Sequence, residues 1–177
     1  MTFLYFQNVK PVYLVIFILS LNASAQTVHE DIHEVLKFTF DSVILKGVGP
    51  AYRLSVSPLP KYPKEEADNC VNAVTSIPNF TKNDIDSIWK KLKDPDPDFK
   101  FADFLGNYDR AAISSKNLRQ DPGMVTVITE ISQPVFFRDQ NFCFLIYSLP
   151  RSGGGGILLQ KLHGRWRLCQ RLCQWYN

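Results

Sequence analysis

The chain of 177 residues carries 20 Lys and Arg against 17 Asp and Glu, a formal net charge of +3, and is 45% hydrophobic and 13% aromatic. Charge this close to balance gives no footing for a nucleic-acid binder, and apolar content this high excludes a largely disordered chain. The length suits one ordinary domain able to bury its own core.

A single cation, Lys10, precedes an apolar run from Val12 to Leu21 and then the small residues Ala23, Ser24 and Ala25. This three-part layout predicts a secretory signal peptide over residues 1–25, cut after Ala25, with residues 26–177 as a single α+β domain. The apolar run falls short of the ~20 residues needed to span a bilayer, so no stable membrane anchor is expected after the cut. No cysteine stands near the cut to take a lipid, and no Arg pair marks the twin-arginine route. The expected destination is outside the cytoplasm, periplasmic or secreted.

Val28 to Phe40 reads as a helix, because Val28, Ile32, Val35, Leu36 and Thr39 recur at helical spacing among polar residues. Asp41 and Ser42 are expected to break it. Val43 to Leu45 and Tyr52 to Val56 read as short β-like runs around Gly47, Gly49 and Pro50. Pro58, Pro60 and Pro63 then make a stiff loop, and a weakly marked second helix surrounds Cys70. The third helix is the best marked. Thr81 caps it, Asp84 stands three residues on as the acid of a capping box, and Ile85, Ile88, Trp89 and Leu92 form one stripe. Pro95 and Pro97 require it to stop by Lys93 or Asp94. Phe99, Phe101, Phe104 and Leu105 then resume the core.

From Met124 the period changes to two. Val125, Val127, Thr129 and Ile131 alternate along a strand with one buried face, Pro134 to Phe137 is a short strand, and Arg138 to Asn141 is a polar turn. Phe142 to Leu149 is apolar on both faces, as a central strand is. Ile157 to Leu162 and Arg165 to Cys169 flank the two-residue turn His163-Gly164. The C-terminal half thus reads as an antiparallel β-meander following N-terminal helices, in a sheet that could be curved and cone-like. After Cys169, strand and helix both fit, since Leu168, Leu172, Cys173 and Tyr176 also make a helical stripe.

His29, Glu30 and His33 have the H-E-x-x-H spacing that sets two metal ligands and a general base on one helical face. A catalytic zinc of this type takes three protein ligands, and no H-x-x-G-x-x-H extension follows, for Leu36 stands in place of the Gly. After the cut, His29 would also be the fourth residue of the mature chain, where termini fray. The motif is therefore read as the polar face of an amphipathic helix, with His29 and His33 largely exposed and no third ligand in reach of both. Neither a metal nor any other cofactor is assigned. Asp94, Asp96 and Asp98 open like a calcium loop, but Phe99 and Leu105 occupy the positions that need Gly and Glu. Gly153 to Gly156 leads into a strand, so it reads as a hairpin tip, not a phosphate-cradling loop.

From Arg151 onward five basic residues, Arg151, Lys161, Arg165, Arg167 and Arg171, meet no acid. This is either a solvated strand face or an anion-contact patch of Arg151, Arg165, Arg167 and Arg171. The four cysteines, Cys70, Cys143, Cys169 and Cys173, allow three pairings that sequence cannot separate. If Cys169 and Cys173 share one extended strand they stand ~13 Å apart at ~3.3 Å per residue, too far to join each other.

Ser132, Pro134, Phe136, Asp139, Tyr147, Gly153 to Gly156, Lys161, Gly164, Trp166 and Trp175 follow a recognisable order over the last third of the chain. In that order the stretch resembles a loose group of uncharacterised exported proteins common in Bacteroidota. The resemblance implies a Gram-negative exported protein of α+β fold with no assigned activity, and no catalytic residue to carry over. Helices followed by a sheet ending in G-x-W are also similar, as a fold analogy, to the cone of nuclear-transport-factor-like proteins. With no complete polar constellation in view, the chain reads as a non-catalytic binding or envelope-associated module. Its expected partner is an envelope protein or an anionic ligand. The alternative is a hydrolase, zinc-dependent through His29, Glu30 and His33, or with a site that sequence does not display.

Overall fold

The computed structural model describes residues 28–46, 52–58, 64–106, 111–113, 125–149 and 152–176. The expected signal segment and its cut lie outside the described residues, as does Arg151.

Helix α1 spans residues 28–39 and buries Val35 and Leu36 completely. It does not break at Asp41 and Ser42. Instead it widens into a π-turn, Phe40–Ile44, which keeps both Phe40 and Val43 inside. The expected β-run at Val43 to Leu45 is therefore the end of this helix, closed by the Leu45 N–H donating to the Phe40 carbonyl at 2.7 Å. Burial of two more apolar side chains outweighs the local preference of Asp and Ser for a turn.

Helix α2 (Lys64–Ala73) turns Ala67, Cys70 and Val71 inward and ends in a 3₁₀ turn that buries Val74. Helix α3 (Lys82–Lys93) forms as the sequence predicts. The Asp84 carboxylate accepts the Thr81 N–H at 2.7 Å, and Ile85, Ile88 and Leu92 are buried. Between the two prolines, Gln133 clamps the acidic loop: its Oε1 accepts the Asp96 N–H at 3.0 Å and its Nε2 donates to the Asp96 carbonyl at 2.7 Å. Short helix α4 (Phe101–Leu105) then returns Phe101 and Leu105 to the core.

The strands are β1 (Tyr52–Pro58), β2 (Ala111–Ile113), β3 (Val125–Ile131), β4 (Val135–Phe137), β5 (Phe142–Leu149), β6 (Gly153–Leu162) and β7 (Arg165–Trp175). Six run in the order β2-β1-β3-β5-β6-β7, and β4 pairs beside β3 on the same side of β5. The fold is α+β, with the antiparallel run β3-β5-β6-β7 that the alternation predicts. Two expectations change. β1 pairs parallel to β2 and β3, through connections that carry the helices. The sheet is also open, not a cone, with β2 and β7 as its two edges among the described residues.

Ser132 explains why β3 and β4 are two strands. Its N–H donates to the Ile146 carbonyl at 2.8 Å, and its hydroxyl accepts the Ile146 N–H at 3.0 Å, where a main-chain carbonyl would otherwise stand. Both faces of the sheet are covered. Cys143, Leu145, Tyr147, Ile157 and Leu159 pack with α1 and α4, while Phe144, Ile146 and Leu158 pack with α2 and α3.

The four glycines are not a tip. Gly153 to Gly156 lie within β6, paired to β5 on one side and β7 on the other. A Cβ on Gly156 would stand 2.9 Å from the Cys70 Cβ and 3.0 Å from its sulfur. Its absence lets α2 descend onto the sheet, where Cys70 joins Cys173 with Cα atoms 5.0 Å apart. Residues after Cys169 are strand, not helix, and Cys169 and Cys173 are not joined to each other.

Candidate functional site

The histidine motif sits at the start of α1, facing α4. The exposed His29 ring lies on the Phe104 ring, centroids 4.6 Å apart and tilted by 34°. His33 is half-buried, against the expectation of a largely exposed side chain, because its Nδ1–H donates to the Phe104 carbonyl at 2.5 Å. Helix α4 arises only because the apolar Phe101 and Leu105 follow the prolines, and sequence spacing gives no sign that it meets α1. The two histidines with Glu30, Glu34, Asp103 and Phe104 line a surface cleft of about 360 Å³. Among the described residues, no three His, Cys, Asp or Glu side chains stand close enough together to hold a metal ion.

The buried member of the motif is Asp31, only 5% exposed. Its Oδ1 accepts from Lys161 Nζ at 2.5 Å and from Trp166 Nε1 at 3.0 Å. One carboxylate thus ties α1 to both strands of the β6–β7 hairpin. Sequence reasoning passed over Asp31 in favour of its neighbours. A signal was present, since Asp31 stands four residues before Val35 on the buried side of the helix.

The other chemistry-bearing group is β7. Arg165, Arg167 and Arg171 are all exposed on this edge strand. Simple alternation would put all three on one face. The register does not, because a bulge stands between Arg167 and Arg171. Leu159 pairs Leu168 while Leu158 pairs Gln170, and Ile157 pairs Arg171 while Gly156 pairs Cys173, so Cys169 and Leu172 are extra residues. Arg167, opposite Gln160, points to the side of α2 and α3. Arg171, opposite Ile157, points to the side of α1 and meets the Tyr147 hydroxyl. Burial pushes the Tyr147 phenol above its ordinary value, with Arg171 pulling the other way. Arg165 borders a groove with Glu34, Lys37 and Asp41 of α1.

Neither remaining thiol is activated. Cys143 is fully buried and desolvation raises it well above its ordinary value, while partial burial raises the exposed Cys169 as well. A cysteine nucleophile needs the opposite shift. Compared with family models, curated proteins and solved structures, the chain matches none of them.

Proposed function

We propose that this protein is an exported, non-catalytic binding module of the cell envelope that presents the basic edge strand β7 to an anionic partner. The observation that carries this reading is β7 itself. It forms one edge of the sheet, exposes three arginines, and belongs to a stretch that contains no acid after Arg151. The Cys70–Cys173 disulfide supports a location in an oxidising compartment and fixes the far end of β7 to α2. The N-terminal charge, apolar and small-residue pattern, and the resemblance to exported proteins, support the same address.

The test is retention on immobilised poly-glutamate at physiological salt, using protein purified from an oxidising compartment. Wild type is retained, and Arg165→Gln/Arg167→Gln/Arg171→Gln is not. The control Lys46→Gln/Lys82→Gln/Lys90→Gln removes equal charge from exposed positions elsewhere and keeps retention. Equal loss in both triple variants reduces the effect to global charge and removes the reading.

A second reading, hydrolysis at zinc through His29, Glu30 and His33, draws on one observation, that the motif lines a cleft. Stoichiometric zinc in dialysed protein, lost in His33→Ala, would favour it over the binding module.

A further inference from the structure

We infer that β7 takes its partner by strand addition: an extended, acidic peptide segment pairs at Arg165 to Leu168 along the edge that no other described strand covers. This rests on the reading of β7 as the contact surface and specifies the partner and its geometry. An edge strand offers a row of backbone donors and acceptors, and an added strand supplies the complement. Arg165 to Leu168 is the longest unbulged run of β7, beginning at the tight His163-Gly164 turn and ending at the bulge on Cys169. Asp31 holds the Trp166 indole of this run by its Nε1–H. A preorganised edge loses little entropy when a strand docks.

Charge placement distinguishes the occupant. The bulge at Cys169 sends Arg167 and Arg171 to opposite faces of the sheet. A flat anionic surface, such as a membrane, meets charges on one face only. An added strand projects alternate side chains to both faces, so acids on it reach Arg167 on one side and Arg171 on the other. Leu168, 37% exposed and facing the α1 side, gives an apolar residue of the same strand a place to pack. A second copy of this chain does not fit. Pairing β7 with β7 of a second copy brings together two stretches that carry basic residues and no acid, and the added strand then supplies no partner for Arg167 or Arg171.

The experiment compares two probes of identical sequence and charge: an end-capped peptide of repeating Glu-Glu-Val, which sets acids on both faces of a strand, and its analogue N-methylated at every internal amide. Expected is binding of the first, at least about tenfold weaker binding of the second, and slowed amide exchange within Arg165 to Leu168 only with the first. Arg167→Glu and Arg171→Glu each weaken the first probe. Equal affinity for both probes overturns strand addition while leaving the basic contact surface standing. Failure of both probes together with poly-glutamate overturns the two readings at once. Binding to phosphatidylglycerol vesicles that is lost in Arg167→Glu but kept in Arg171→Glu, or self-association by sedimentation, also overturns it.

Discussion

Arg138 holds Asp84 with two nitrogens, Nε on Oδ1 at 2.8 Å and Nη2 on Oδ2 at 2.6 Å. The pair joins the first turn of α3 to the turn after β4, and Arg138 also lies over the Phe80 ring at 4.4 Å and donates to the Asn79 carbonyl. Asp84 therefore serves twice, as the capping-box acid of its own helix and as the anchor of a turn 54 residues away.

This pair makes stability fall in acid. The Arg138 hydrogen bonds, opposed by burial and helped by Thr81, hold the Asp84 carboxyl at about 2 instead of 3.8. The folded-state value is depressed, so the stabilisation is present above about pH 4 and disappears as pH falls through about 2. The shift corresponds to roughly 2 kcal/mol, which solvent around Arg138 screens toward about 1 kcal/mol. Asp84→Asn is expected to lose about that much at pH 7, with the gap to wild type closing between pH 4 and 2 in urea titrations. A gap that stays constant with pH contradicts this role.

The motif residues should divide sharply in their effect on folding. Asp31→Ala leaves Lys161 and Trp166 Nε1 without their carboxylate and is expected to destabilise by about 2–4 kcal/mol. His29→Ala, which removes only an exposed ring contact, should cost about 0.5 kcal/mol, and His33→Ala about 1 kcal/mol through its bond to Phe104. Equilibrium denaturation of the three variants measures the order; His29→Ala costing as much as Asp31→Ala would reverse it.

Disulfide removal should be felt globally. Cys70 and Cys173 are 103 residues apart in sequence, and a loop of that length gives about 4–5 kcal/mol in the chain-entropy account. Cys70→Ser/Cys173→Ser is expected to lose about 3–5 kcal/mol, and reductant should lower the wild-type unfolding temperature but not that of the double variant. Parallel falls in both would assign the reductant's effect elsewhere.

Gly156→Ala tests the glycine tract, and Gly164→Ala, in the β6–β7 turn, is its counterpart outside the tract. At Gly156 the new methyl meets the Cys70 side chain, so thiol titration should show a fraction of unjoined cysteine and stability should fall by about 2 kcal/mol. At Gly164 nothing stands within 4 Å of the new methyl, and only the φ of +75° opposes it, for about 1 kcal/mol with the disulfide intact. Full disulfide formation in Gly156→Ala would show that α2 can lift away without consequence.

What the sequence determined by itself is the set of features whose causes are local. Helix α3 follows from Thr81, Asp84, the Ile85-Ile88-Leu92 stripe and the prolines, all within a few turns of chain. β3 follows from alternation, β5 from a run that is apolar on both faces, and the β6–β7 hairpin from the His163-Gly164 turn, for the same reason. What only the tertiary structure decided is how distant segments meet. Nothing near Cys70 indicates Cys173, and nothing near Gly156 announces the sulfur atoms it makes room for. The parallel pairing of β1 with β3 depends on where the helices cross, and Asp31 becomes a buried anchor only when Lys161 and Trp166 arrive above it. On β7 the arginines share a parity that alternation would place on one face; the bulge at Cys169 divides them, because β6 bonds to a register that alternation along one strand does not contain.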